Sequence, residues 1–254
     1  MALPARVEII PGHDVVARLG RELPAPATIT ITCLPHHGPS ETVDLAVELA
    51  ALGYRAVPHL AARSIESKQQ MDTFSKRLAD AGVKDIFVIA GDAKADAGPY
   101  AWSVPLLEEL AGTGSFRLGF AAYPEGHPAI PEPELTQLLL KKQEYGDWAV
   151  TQMCFSAPVL SDYLARIRAD GFTLPVWAGV PGQVRRTRLV ALAGRIGVGP
   201  SLKFAKRSGS LLRSVLAPSS YDPTRLVGSI ERSGGFAGLH VYSFNDFARL
   251  PGAS

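Results

Sequence analysis

Cysteine is nearly absent from this sequence. Cys33 and Cys154 are the two present, each set in an apolar run. Neither spacing suits a metal site, and buried free thiols are a better expectation for both than a disulfide. No uninterrupted apolar stretch approaches the length needed to cross a bilayer. The amino terminus lacks a basic region followed by an apolar core, so no secretory leader is expected and the chain reads as cytoplasmic. Neither sign of charge is in excess. The formal net charge is +2 with no dense basic patch, which argues against a nucleic-acid partner. Also missing are a serine nucleophile elbow and a paired catalytic cysteine and histidine. What remains, 46% hydrophobic and 20% charged residues over 254 positions, is the composition of a soluble globular protein with a sizeable core.

Short apolar runs suited to buried parallel strands recur along the chain, at residues 7–10, 27–33, 54–60, 84–90, 117–122, 148–153, 174–178 and 236–242. Helical patterns lie between them. Residues 41–51 are amphipathic, with Ser40 a candidate N-cap and Gly53 a candidate C-cap, and residues 67–81 carry Met71, Phe74, Leu78 and Ala81 at helical spacing. Residues 133–145 and 158–170 each begin with proline and are followed by Gly146 and Gly171. Residues 185–196 and 202–216 form two further helical patterns. The segment between the first two strands has room for a helix over 14–21 at most. Strand starts roughly thirty residues apart are what successive βα units require. An open doubly wound sheet would announce itself by a glycine-rich turn after the first strand, and Pro11-Gly12-His13 is not one. The expected fold is α/β, a single (β/α)8 TIM barrel over residues 1–254 with a shortened first helix.

In such a barrel the site is built at the carboxyl ends of the strands. Those ends carry Glu8, Thr32, His59, Asp92, Tyr123 with His127, Gln152 and Tyr242. Each has a plainer alternative. Glu8 could be a solvent-facing charge, but it interrupts Val7, Ile9 and Ile10, and a carboxylate in a core strand needs a partner or a shifted pKa. His59 after Pro58 could cap loop carbonyls. Asp92 after Gly91 could make an Asx turn. Gln152 between Thr151 and Met153 is harder to dismiss, because a buried amide needs several partners. After the fifth strand, Pro124, Gly126 and Pro128 force a rigid polar loop that presents Tyr123 and His127. The pair His36-His37 lies in a Pro/Gly loop with no ligand partner at metal spacing, and no metal is expected. Residues 197–203 resemble a phosphate loop superficially, with Gly199-Pro200 a better helix start. Lys203, Lys206, Arg207 and Arg213 suit a solvated helix face.

The stretch Ala121-Ala-Tyr-Pro-Glu-Gly-His-Pro128 resembles the Tyr-Pro-Glu-x-His-Pro signature of the methylenetetrahydrofolate reductases. In that family's order stand Val7-Glu8-Ile9-Ile10-Pro11, Thr32, Pro58-His59-Leu60, Gly91-Asp92, Tyr100-Ala101, Lys141, Thr151-Gln152 and His240-Val-Tyr242. The resemblance implies a (β/α)8 flavoprotein with non-covalent FAD held by Thr32, His59, Gly91, Asp92, Tyr100, Ala101, Ala121, Tyr123, His127, Lys141 and Tyr242. Glu134 and Gln137 match the positions that serve the ribose and adenine end. It further implies a ping-pong course: a nicotinamide nucleotide reduces the flavin and leaves, then methylenetetrahydrofolate takes the hydride and becomes methyltetrahydrofolate, within methionine biosynthesis. The reverse oxidation in one-carbon catabolism uses the same groups. Glu8 matches the general acid, expected with a raised pKa among Val7, Ile9 and the flavin. Asp92 matches the aspartate near flavin and pterin, Gln152 an amide on the pterin, and Thr187 stands where the family has a substrate-binding glutamine. The implied partners are a tetrahydrofolate derivative and a nicotinamide nucleotide, and a homo-oligomer is compatible with both. Where the family carries Arg before the Gly-Asp pair, this chain has Ala90, and Leu140 and Asp246 also replace basic residues. Two other readings compete. One is a non-catalytic folate- or flavin-binding subunit. The other is a barrel of different chemistry, such as a folate-dependent methyl-transfer component, which would need a Schiff-base lysine or metal cluster at a strand end.

Overall fold

Val7 and Ile9, at 2% and 0% exposure, alternate with Arg6 and Glu8 along the first strand. That period of two sets one face against helices and the other toward the strands across the barrel. The computed structural model describes residues 2–92, 98–185, 220–247 and 250. Among these, eight parallel strands close into a barrel: β1 (Ala5–Ile9), β2 (Thr28–Ile31), β3 (Arg55–Ala61), β4 (Asp85–Ile89), β5 (Arg117–Ala122), β6 (Trp148–Thr151), β7 (Val176–Pro181) and β10 (Gly238–Tyr242). Their order is β1-β10-β7-β6-β5-β4-β3-β2. Two short strands, β8 (Val184–Arg185) and β9 (Ser220–Tyr221), form a separate antiparallel pair. The described helices are α1 (Val15–Glu22), α2 (Gly38–Ala51), α3 (Lys68–Asp80), α4 (Ser103–Thr113), α5 (Glu132–Gln143), α6 (Ala157–Ala169) and α7 (Thr224–Ser233). None of the described helices is long and apolar enough to cross a membrane.

The chain divides into two compact units. The first, Arg6–Ala121 with Lys141–Ala149, aligns Glu8 with Thr30 and Thr30 with Val57 across β1, β2 and β3. It also aligns His59 with Phe87 and Phe87 with Gly119 across β3, β4 and β5. Met71, Phe74 and Leu78 form the buried face of α3, as their spacing predicts, and Ser67 caps that helix by accepting from the Gln70 amide at 3.1 Å. The second unit, Met1–Ala5, Ala122–Leu140 and Val150–Ser254, packs α6 through Leu160, Tyr163, Leu164 and Ile167 and α7 through Leu226, Val227 and Ile230. In it, β7 and β10 pair with His240 beside Gly179. Both cysteines are free and buried, and burial pushes the Cys33 thiol upward.

Several boundaries differ from the sequence reading. α2 starts at Gly38 with Pro39 in its first turn, so Ser40 is inside the helix and not its cap; proline's fixed φ suits that turn without a side-chain cap. Gly53, expected as the C-cap, follows the capping residue Leu52 in the left-handed conformation at φ +86°. β7 runs to Pro181, beyond the expected end at Ala178, because the tail of that run pairs with Val241 and Tyr242. Arg185, read as a helix start, lies in β8 opposite Ser220, and cross-strand pairing there overrides helical periodicity. The rest of 185–196, all of 202–216 and the loop 197–203 lie outside the described residues. The sequence reading omitted α4 and α7. Each carries an internal glycine that lowers helical preference, Gly112 in α4 and Gly228 in α7.

Lys142, in the last turn of α5, is 9% exposed. Its ammonium lies 5.9 Å from the Phe120 ring, and no carboxylate pairs with it among the described residues. Burial lowers its pKa from 10.5 to about 8. Below about pH 8 the folded protein holds a desolvated charge. Between about 8 and 10.5 the unfolded chain binds more protons, so stability rises with pH through that window. A fall of this size corresponds to roughly 3 kcal/mol. Lys142→Met is expected to stabilise the protein by roughly 2 kcal/mol at pH 7 and to flatten the rise above pH 8. Urea unfolding of both proteins at pH 7 and pH 10 checks it.

Candidate functional site

A run of inward-facing side chains crosses the first unit. Glu8 stands beside Thr30 in register, and its carboxylate Oε2 lies 3.8 Å from His59 Nε2, with side-chain exposures of 12% and 6%. That separation allows attraction if the imidazole is protonated but exceeds a direct hydrogen bond. The His59 ring meets Phe87 at 4.7 Å, Phe87 stacks on Trp148 at 5.4 Å, and the Arg6 guanidinium sits 4.0 Å over the Trp148 ring. Gly119 admits that indole, since a Cβ there would overlap it. Burial lowers the Arg6 pKa to about 10, with the charge of Asp85 opposing the fall; it remains a cation at neutral pH. Glu8 and His59 thus stand at one end of an aromatic column whose other end is a buried positive charge. Periodicity marked Glu8 and His59. It did not mark Arg6, Phe87 or Trp148, because a charge or ring in an apolar strand does not name its neighbour.

Around this pair, the hydroxyls of Thr30 and Thr32 are buried without a protein partner. Thr32 continues β2 by donating its amide to the Ile9 carbonyl at 3.0 Å. Gly91, just past β4, has φ +80°, and a Cβ there would come within 2.9 Å of Ala61 Cβ; both facts require glycine. Asp92 follows on the exposed turn. Tyr100 is buried, which raises its pKa, and its hydroxyl donates to Glu109 at 2.6 Å, which adds to the rise. The Ala101 carbonyl accepts from Arg63 Nε at 2.8 Å. Ala121 is half-buried near the end of β5. Lys141 is exposed in the last turn of α5, its ammonium 2.7 Å from Glu144, and that hydrogen bond raises its pKa.

In the second unit, Tyr123 and His127 meet edge to face at 5.0 Å across a turn closed by Gly126, whose amide donates to the Tyr123 carbonyl at 3.2 Å. His127 Nδ1 accepts from the Ala129 amide, which puts the neutral ring's proton on Nε2. Gln152 directly follows β6. Its amide donates to Ala122 at 2.7 Å and its side-chain oxygen accepts from Met153, leaving its NH2 group outside those two bonds. The Tyr242 hydroxyl donates to the Thr151 carbonyl at 3.3 Å, and its ring meets buried His240 at 4.9 Å. His240 is buried inside β10, a placement that only the fold makes visible. Glu134 and Gln137 are exposed on α5. Thr187 lies outside the described residues.

The sequence profile of methylenetetrahydrofolate reductase matches residues 14–183, well over half of the chain. The chain belongs to the methylenetetrahydrofolate reductase family. It is 29% identical over 131 residues to the 5,10-methylenetetrahydrofolate reductase of Buchnera aphidicola subsp. Baizongia pistaciae, and 27% identical over 131 residues to that of Pectobacterium carotovorum subsp. carotovorum. Each match takes in 50% of this chain and 44% of the relative, so it spans less than half of those reductases' length. In fold it is similar to an uncharacterized protein from Clostridium thermocellum that binds two copies of 5-methyl-5,6,7,8-tetrahydrofolic acid. The TM-score is 0.59 at 13% identity, covering 95% of this chain and 88% of the other. At that identity the likeness speaks to the fold.

Proposed function

We propose that this chain is an oxidoreductase that interconverts methylenetetrahydrofolate and methyltetrahydrofolate with bound FAD, a nicotinamide nucleotide serving as the electron donor. The observation that carries the reading is the enclosed Glu8–His59 pair at the ends of β1 and β3, in a member of the methylenetetrahydrofolate reductase family. An enclosed carboxyl is costly to keep ionised, and proton transfer gives a protonated one a use. That a protein of similar fold binds a reduced folate accords with it.

The residues present suit FAD. Thr30 and Thr32 offer buried hydroxyls without protein partners, and Gly91, at φ +80°, turns the chain just past β4. When bound, FAD supplies the hydride chemistry. His59, Ala101, Tyr123, His127 and Tyr242 would help hold it, with Lys141 as a counter-charge for phosphate and Glu134 and Gln137 toward its nucleotide end. Glu8 is the general acid. It delivers a proton to the folate nitrogen that departs as the bridging methylene opens, and takes it back in the reverse direction. Asp92 and the NH2 group of Gln152 hydrogen-bond the pterin. The absorption spectrum tests this reading. Purified protein should take up FAD, show a flavin spectrum, and bleach anaerobically with NADH, NADPH or methyltetrahydrofolate. Protein that takes up no FAD, or whose flavin none of the three reduces, would overturn it.

A further inference from the structure

Arg63, on the one-turn helix Ala62–Ser64 after β3, reaches both ends of the segment joining β4 to α4. Its amide donates to the Ala90 carbonyl at 3.0 Å and its Nη1 to the Gly91 carbonyl at 3.4 Å, both at the start of that segment. Its Nε donates to the Ala101 carbonyl at 2.8 Å, at the end. The guanidinium lies 4.6 Å from the ring of Trp102, whose indole is 53% exposed. The same stretch of chain supports the segment at two further points: Gly91 abuts Ala61, and Gly98 lies where any Cβ would overlap the Ile65 carbonyl.

We propose that Arg63 is a positioning residue of the site, clasping the two ends of the β4–α4 connection so that the Gly91–Asp92 turn and the Ala101 backbone are held at a fixed separation. The inference rests on the flavin reading above and deepens it. Gly91 and Ala101 are two of the backbone positions assigned there to the cofactor, and Asp92 is assigned to the pterin. A planar guanidinium with donors pointing in two directions can bridge two carbonyls. A lysine ammonium on a flexible stem cannot hold both in one geometry. The clasp acts through backbone carbonyls, so Arg63 need not touch cofactor or substrate.

The test compares wild type, Arg63→Lys and Arg63→Met by three readouts: FAD dissociation constant, visible circular dichroism of the bound flavin, and melting temperature of the apoprotein. Loss of a charge-assisted bond of this kind corresponds to about tenfold or more in affinity. Both variants are therefore expected to bind FAD about tenfold or more weakly and to alter the flavin dichroism, while apoprotein melting stays near wild type. If Arg63→Met does not fold, Arg63→Lys carries the comparison alone. Wild-type affinity and dichroism in Arg63→Lys would overturn the clasp, because charge without the fork would then suffice. So would loss of affinity in step with apoprotein melting. A wild-type protein that takes up no FAD would instead overturn the flavin reading on which the clasp depends.

Discussion

Glu8→Gln is expected to slow folate turnover by roughly 10²–10⁴-fold while leaving FAD uptake and the flavin spectrum close to wild type. The amide matches the carboxyl in size and can still meet its surroundings through hydrogen bonds, but it cannot give up a proton to the departing folate nitrogen. Glu8 sits in β1 between buried Val7 and Ile9, with its side chain 12% exposed, so bulk water is a poor substitute acid there. Glu8→Asp should fall between, since the carboxyl is kept but withdrawn by one methylene. Reduction of the flavin by a nicotinamide nucleotide needs no such acid and should survive in Glu8→Gln, which separates a proton-transfer defect from a damaged site. Turnover at the wild-type rate in Glu8→Gln would remove Glu8 from the mechanism.

Gly179→Ala is expected to destabilise the fold by roughly 3–5 kcal/mol. Gly179 lies in β7 without a positive φ, so glycine is needed there for space and not for φ. A Cβ would overlap the Thr151 carbonyl oxygen and come within 3.1 Å of the Gln152 carbonyl oxygen. Both are backbone atoms at the end of β6, which cannot swing aside as a side chain can. The Gly179 amide also donates to Thr151 Oγ1 at 2.7 Å, and its carbonyl accepts from Cys154 at 3.0 Å. Pushing the strands apart would strain both bonds and shift Gln152, so any soluble variant should also bind folate more weakly. A drop of about 10 °C in melting temperature is the corresponding scale for a chain of this size. A Gly179→Ala protein that melts within a degree or two of wild type would show that β6 and β7 have slack that the packing denies.

Strand-length apolar runs spaced by helical patterns suffice for an eight-stranded barrel, because a parallel sheet demands that alternation and the crossover helices leave few other arrangements. Polar residues ending those runs also mark Glu8, His59 and Gln152, since an apolar strand has no local reason to hold them. Partnership is another matter. Nothing in the order of residues tells that His59 faces Glu8, that Arg6 in β1 lies over Trp148 in β6, or that Arg63 joins Gly91 to Ala101. Those contacts join residues from different strands and loops, where register and side-chain direction depend on how every neighbouring strand is placed. Boundaries were blurred for the same cause: Pro39 could begin a helix or precede one, and the run ending β7 lengthened only because β10 lies alongside it. Local pattern names the elements and the odd residues out, and close packing of distant segments decides which of them meet.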